Sequence, residues 1–369
     1  MTNNTSHKTI VADRIIFNKN KLSAFYPDLR KRIDQYFVTN NIEKQANLLM
    51  YSKIILILGS FVGTYFMILS NMFSPGVSFV LALLHGFSAA LIGLNIAHDA
   101  IHGSLSTNPR VNHLFGLCFN IVGANDYLWR VKHNIIHHTF TNIPGHDDDI
   151  NQTKLLRFDR TQEWLPMHRY QHIYMFLLYP LATISWVISK DYRNFFKAEI
   201  SKYDNTNKPR AEYFRLFFYK AIYYTLFVVI PFSLIALPWY QILLGFVCMH
   251  LVAGITLSLI FQLAHVVEDT EFPEPDVAGN MGENWAVHQL YTTANFATTH
   301  PLVNYFFGGL NFQVEHHLFP KICHVHYANI APIVRQTAQE YGLPYFDNPT
   351  FFGAIRSHIT TMKALGAKS

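Results

Sequence analysis

The chain has 369 residues, of which 50% are hydrophobic, 15% aromatic and only 14% charged. A charged fraction this far below the roughly 25% of soluble domains excludes an ordinary cytosolic enzyme, the aromatic content excludes a disordered chain, and a mean hydropathy of +0.12 excludes one that is membrane throughout. The net charge of +5 fits an anionic membrane surface; no basic run interleaved with aromatics points to nucleic acid, and three dispersed cysteines, Cys118, Cys248 and Cys323, exclude a disulfide scaffold and a cysteine zinc site.

Residues 1–50 are polar and mixed and are expected to form a cytoplasmic N-terminal segment without a secretory signal. Two long apolar runs follow, at about 54–73 and 77–97, with the turn signal Ser74-Pro75-Gly76 between them. Each is about as long as the 20 residues needed to cross a bilayer, so together they predict a transmembrane hairpin. A second pair, at about 214–237 and 240–264, is joined at Pro238-Trp239. Between the pairs, Ile173 to Ile188 is apolar but contains Pro180, Thr183 and Ser185. Its helical length, about 24 Å, is short of a crossing, so it is expected at the interface or in the cytoplasmic part. Neither hairpin tip carries Lys or Arg. The positive-inside rule therefore puts both termini and the middle of the chain in the cytoplasm. The expected fold is an all-α integral membrane protein: two transmembrane hairpins, four spans, and a cytoplasmic helical cap. Residues 51–330 form its membrane domain and 331–369 a cytoplasmic C-terminal segment.

Twenty histidines are nearly as many as the 24 acidic residues. They cluster as His98-x-x-x-His102, then His133-x-x-x-His137-His138, then Gln313-x-x-His316-His317, and His265 follows the fourth span. On a helix, residues i and i+4 share a face, so His98/His102 and His133/His137 can each present two imidazoles to one point. Adjacent histidines diverge by about 100°, which suits two nearby ions better than one. Imidazole suits Zn, Cu, Fe and Ni. Eight imidazoles exceed one ion's shell, and nitrogen-rich ligation with little carboxylate suggests an oxidative non-haem iron centre, with zinc left open. A lone histidine near an interface is most often a hydrogen-bonded or snorkelling side chain; three spaced clusters on one side of a bilayer are not.

HDAIH, HNIIHH and GGLNFQVEHHLFP resemble the three histidine boxes of the membrane fatty acid desaturase family over about Ile54 to Pro320. The QxxHH form of the last box and the stretch from His133 to Asp147 are similar to the front-end branch. The resemblance implies O2-dependent insertion of a double bond into an acyl chain at a di-iron centre. Its ligands by residue match are His98, His102, His133, His137, His138, His265, His316 and His317, with Gln313 at the ninth family position. Many front-end enzymes carry a fused b-type haem domain needing two axial histidines. Only His7 and His85 precede the first box here, so electrons are expected from a separate protein, a ferredoxin or a b-type cytochrome. Asp99, Glu315 and Asp147 to Asp149 are candidates to hold imidazole N–H groups or to act as solvated caps. Trp129 and Asn311 either line the pocket or simply pack. His250 should be too far from the metals, and His146 and His300 are the likeliest of the other histidines to matter. Two further readings stay open: a lipid hydroxylase or ketolase on the same scaffold, and a histidine-rich metal transporter, whose ligands should lie within the spans near the midplane.

Overall fold

The computed structural model describes residues 14–151 and 153–368; the first thirteen residues, His7 among them, lie outside these. The described residues are mostly helical; their extended structure is limited to two pairs of two-residue strands, Glu199–Ile200 with Tyr203–Asp204 and Asn295–Phe296 with Asp347–Asn348, and a single bridge between Ile16 and Asn280.

The first hairpin pairs α2 (Leu48–Leu69) with α3 (Pro75–His102). Asn47 caps α2, Ser74 caps α3, and Pro75 fills the first turn of α3, where its missing N–H costs nothing. The second hairpin pairs α6 (Arg210–Leu234) with α7 (Trp239–His265). The two tips meet: the Asn71 side chain accepts from Ala236 N at 2.8 Å and donates to Leu234 O at 2.9 Å. With both tips at one end, the C-terminal ends of α3 and α7, carrying His98, His102 and His265, converge at the other.

Among the described residues five helices, not four, are long and apolar enough to cross a membrane. The additional one is α5 (Pro166–Phe196); its apolar run is extended at both ends by polar helical turns. It is not straight. A 3₁₀ turn at Tyr179–Leu181, around Pro180, and a π segment at Trp186–Lys190 interrupt it. Its first arm packs on α11 (Phe351–Gly366), where Gln171 donates to Met362 O at 2.8 Å. Its middle runs along α7, with Thr183 donating to His250 O at 2.9 Å. Its second arm returns to Asp191, paired with Lys220 of α6 at 2.8 Å. Just beyond it, Ser201 donates to Asp148, near the histidines, at 3.3 Å.

The cap joins the two ends of the chain. In α1 (Phe25–Thr39), Phe25, Leu29, Ile33 and Phe37 recur at helical spacing and are buried against Ile330, Val334 and Ala338 of α10 (Tyr327–Glu340). Arg32 bridges Asp28 at 2.9 Å and Glu340 at 2.7 Å. Residues 22–37 and 327–345, read from the sequence as parts of separate flanks, thus pack into one cap.

Candidate metal centre

Four segments bring the histidines together. The last turns of α3 widen into a π segment, Ile92–Ala97, before His98. The second group lies on α4 (Arg130–His137), itself π-helical, and on His138 just after it. His265 ends α7, and His316 and His317 lie on α9 (Gln313–Leu318). The loop before α9 crosses α3 closely at Gly308, which has φ +64° and where a Cβ would come within 2.1 Å of Leu94 O; only glycine allows that approach.

The eight rings form one buried cluster with two main groupings. One nitrogen from each of His98, His102, His133 and His316 lies within 4.8 Å of the others, and the same holds for His137, His265 and His317. His138 forms a third such group with His316 and His317. The i, i+4 pair His98/His102 serves a single grouping, and adjacent His316 and His317 divide between the first two, as their divergence requires. Facing nitrogens approach closely: His98 Nε2 and His133 Nε2 at 3.1 Å, His137 Nε2 and His265 Nε2 at 3.3 Å.

Four of the rings are held from behind through an outer nitrogen. His137 Nδ1 meets Asp147 Oδ2 at 2.9 Å. His265 Nδ1 meets Thr292 O at 3.2 Å, and His317 Nδ1 meets Gln289 Oε1 at 2.8 Å; both partners are on α8 (Trp285–Thr292). His316 Nδ1 meets Tyr327 Oη at 3.3 Å. The inward nitrogens of His102, His316 and His317 are buried without a protein partner, as is Gln313 Oε1. An orphaned buried acceptor is costly unless something absent from the protein satisfies it. Burial, reinforced by neighbouring imidazoles, drives His133, His138, His316 and His317 far below the ordinary histidine range. At His137 burial works the same way, but Asp147 and Asp149 outweigh it and raise the value. Neutral imidazoles with inward lone pairs are the form that binds a transition metal. The donor set fits the implied di-metal group.

The remaining candidates separate. Asp147 orients an imidazole, and Asp149 Oδ2 stands 3.6 Å from the same nitrogen. Asp99 chiefly accepts from His324 Nδ1 at 2.8 Å and from Cys323 at 3.1 Å, with His98 at 3.7 Å. Glu315 turns away from the rings, accepting from Asn295 and from Tyr345 Oη, both at 2.8 Å; burial lifts its carboxyl to about 7. Trp129 lines the adjoining cavity, whereas Asn311 packs against Asn304. His300 caps a short helix and is exposed. His250 lies fifteen residues before His265, about 22 Å along the helix. Gln289, Thr292 and Tyr327 went unnoticed in the sequence, where nothing local distinguishes them.

A cavity of about 660 Å³ runs up to His137 and His265 between Trp129, Leu181, Trp186, Leu257 and Phe261. Its long apolar wall beside buried imidazoles suits a hydrocarbon chain.

Comparison with known proteins adds chemistry to this geometry. Residues 74–349 match the family described as Fatty acid desaturase. The chain is 34% identical over 360 residues to the sn-1 linoleoyl-lipid 6-desaturase of Arthrospira platensis, covering 97% of this chain and 96% of that one. It is 34% identical over 363 residues to the enzyme of the same name from Synechocystis, covering 98% and 100%. An acyl-lipid (8-3)-desaturase of Physcomitrium patens is 34% identical over 345 residues, 93% of this chain and 72% of that one.

Proposed function

The chain belongs to the fatty acid desaturase family, on its front-end branch, and is an oxidoreductase of membrane acyl chains; from that premise we propose that it desaturates its substrate at a di-iron centre held by the eight convergent histidines. The observation that carries this reading is the convergence itself: eight buried imidazoles meeting in two main groupings, four of them braced through an outer nitrogen, with the inward nitrogens of His102, His316 and His317 left without a protein partner. His98, His102, His133 and His316 would hold one iron and His137, His265 and His317 the other, with His138 between them. Gln313 would orient a neighbour or ligate weakly. Iron so held supplies the O2-dependent oxidising power that breaking two unactivated C–H bonds requires, with two external electrons and water as the other product. The chain's own residues bind, orient and exclude. Asp147, Gln289, Thr292 and Tyr327 fix ring tautomers and directions. Trp129, Trp186, Leu257 and Phe261 would hold the acyl chain beside the rings and exclude water from it.

The electron donor is a separate protein docking on the cytoplasmic face, a ferredoxin or a b-type cytochrome. Four helices, α2, α3, α6 and α7, cross the bilayer. The bent α5 dips in and returns, a reading supported by the contacts of both its ends on the histidine side. The transporter reading loses ground because the clusters stand at helix ends, not mid-span. Metal analysis of protein purified without chelator should give about two irons per chain; one tightly held ion, or none, would sink the site. Expression in a desaturase-poor host, with double bonds localised by mass spectrometry, separates desaturation from hydroxylation.

A further inference from the structure

Resting on that reading, we propose that the mouth of the acyl cavity binds the phosphate of a phospholipid whose own acyl chain is the substrate. The cavity has two chemically distinct parts. Inside, it is walled by aromatic and aliphatic side chains and ends on His137 and His265. At its mouth stand Lys154, Lys190, Arg193 and Lys197. Lys190 and Arg193 stand at i and i+3 on the second arm of α5 and share one helix face, and Lys197 follows directly as the residue that ends the helix. Lys154 comes from a separate loop. Convergence from two elements on one cavity is not what scattered snorkelling side chains produce.

Three of these four cations are not tied up in ion pairs: among the described residues Lys154, Arg193 and Lys197 make none, whereas nearby Lys132 pairs with Asp148 at 2.6 Å and Lys220 with Asp191 at 2.8 Å. The acids of the same cavity are engaged: Asp147 accepts from His137 and from Asn142 N, and Asp148 is held by Lys132. Two or three free cations suit a single phosphodiester through charge-assisted hydrogen bonds.

The route of entry selects the lipid as the carrier. Leu155 and Leu181 line the cavity yet are 48% and 44% exposed, and Ile173, Leu177 and Ile188 continue an exposed apolar flank along α5. Such a flank belongs against acyl chains, so the mouth opens sideways into the leaflet, where phospholipid is already present. A phosphate held there sets which methylenes reach the histidines.

The test uses the full-length protein in detergent, loaded with phosphatidylglycerol, an uncharged galactosyl diacylglycerol or acyl-CoA of the same acyl chain. Retained ligand is counted by mass spectrometry, without turnover. Phosphatidylglycerol should be retained in preference to both others. The double substitution Arg193→Gln, Lys197→Gln should cut that preference about tenfold, the loss expected for one charge-assisted bond, with iron content kept. Lys154→Gln, on a different element, should move it the same way, and Arg193→Lys with Lys197→Arg should retain it. Equal retention of the uncharged lipid, tighter retention of acyl-CoA, or variants that keep the wild-type preference would overturn the proposal. Loss of turnover with the preference intact would count against the desaturase reading instead.

Discussion

At the residue scale, the site depends on imidazoles that are buried and aimed at common points. His137→Ala should abolish new double bonds in a host's lipids while leaving the protein in the membrane; activity that survives would remove His137 from the ligand set. Asp147→Asn keeps the shape of the carboxylate but weakens its hold on His137 Nδ1, and losing such a partner typically costs 10- to 100-fold in metal affinity or activity; metal titration of the variant reads this directly. His358 tests a buried histidine outside the cluster. Its Nδ1 meets Val266 O at 2.7 Å and its Nε2 meets Tyr179 Oη at 2.8 Å, and burial lowers its pKa to about 4. The unfolded chain takes up that proton near the ordinary value of 6.5 and the folded one does not. Folding stability therefore rises with pH across this window and is lost as pH falls from about 6.5 to 4. The loss is about 3 kcal/mol at 1.36 kcal/mol per pH unit. His358→Gln should make the dependence of Tm on pH shallower between those values; an unchanged curve would assign the acid sensitivity elsewhere.

At the element scale, α5 is held to α7 by a close backbone approach. A Cβ on Gly254 would come within 2.1 Å of Pro180 O, a backbone atom that cannot swing aside, whereas a Cβ on Gly63 meets nothing within 4 Å. Gly254→Ala should therefore lower stability by about 1–3 kcal/mol through overpacking. Gly63→Ala should be neutral or slightly stabilising through helix propensity. Thermal unfolding of the two variants side by side checks the contrast. The path of α5 follows from local chemistry. Pro180 removes a backbone donor at the bend, and the π segment Trp186–Lys190 shifts the phase of the second arm. Length and apolarity alone would let this helix cross; the proposal that it returns rests on its partners at either end.

At the scale of the whole molecule, the arrangement predicts sidedness. A reporter fused after Pro238 should be external. Cysteines introduced at Glu163 and Lys208, before and after α5, in a background without the native three, should both react from the cytoplasmic side. Opposite labelling of that pair would make α5 a fifth crossing and would place the two ends of the chain on opposite faces. That outcome sits badly with the packing of α1 on α10, which ties the two ends into one cap.

Much of this was legible in the residues alone. Apolar run length, the turn at Ser74-Pro75-Gly76 and the absence of Lys and Arg at the tips are local properties, and they suffice to predict the hairpins. The spacing of His98/His102 and of His316-His317 likewise encodes faces of a helix, so the existence of a multi-histidine centre could be read before any fold was known. The division of the imidazoles into groupings, the bracing of His317 by Gln289 and of His265 by Thr292, the turning away of Glu315 and the two bends of α5 were not legible. Each depends on which distant segments pack together, and a contact between residues 28 or 128 positions apart leaves no periodicity in either segment. Periodicity records which way a side chain points; only tertiary packing supplies what it meets.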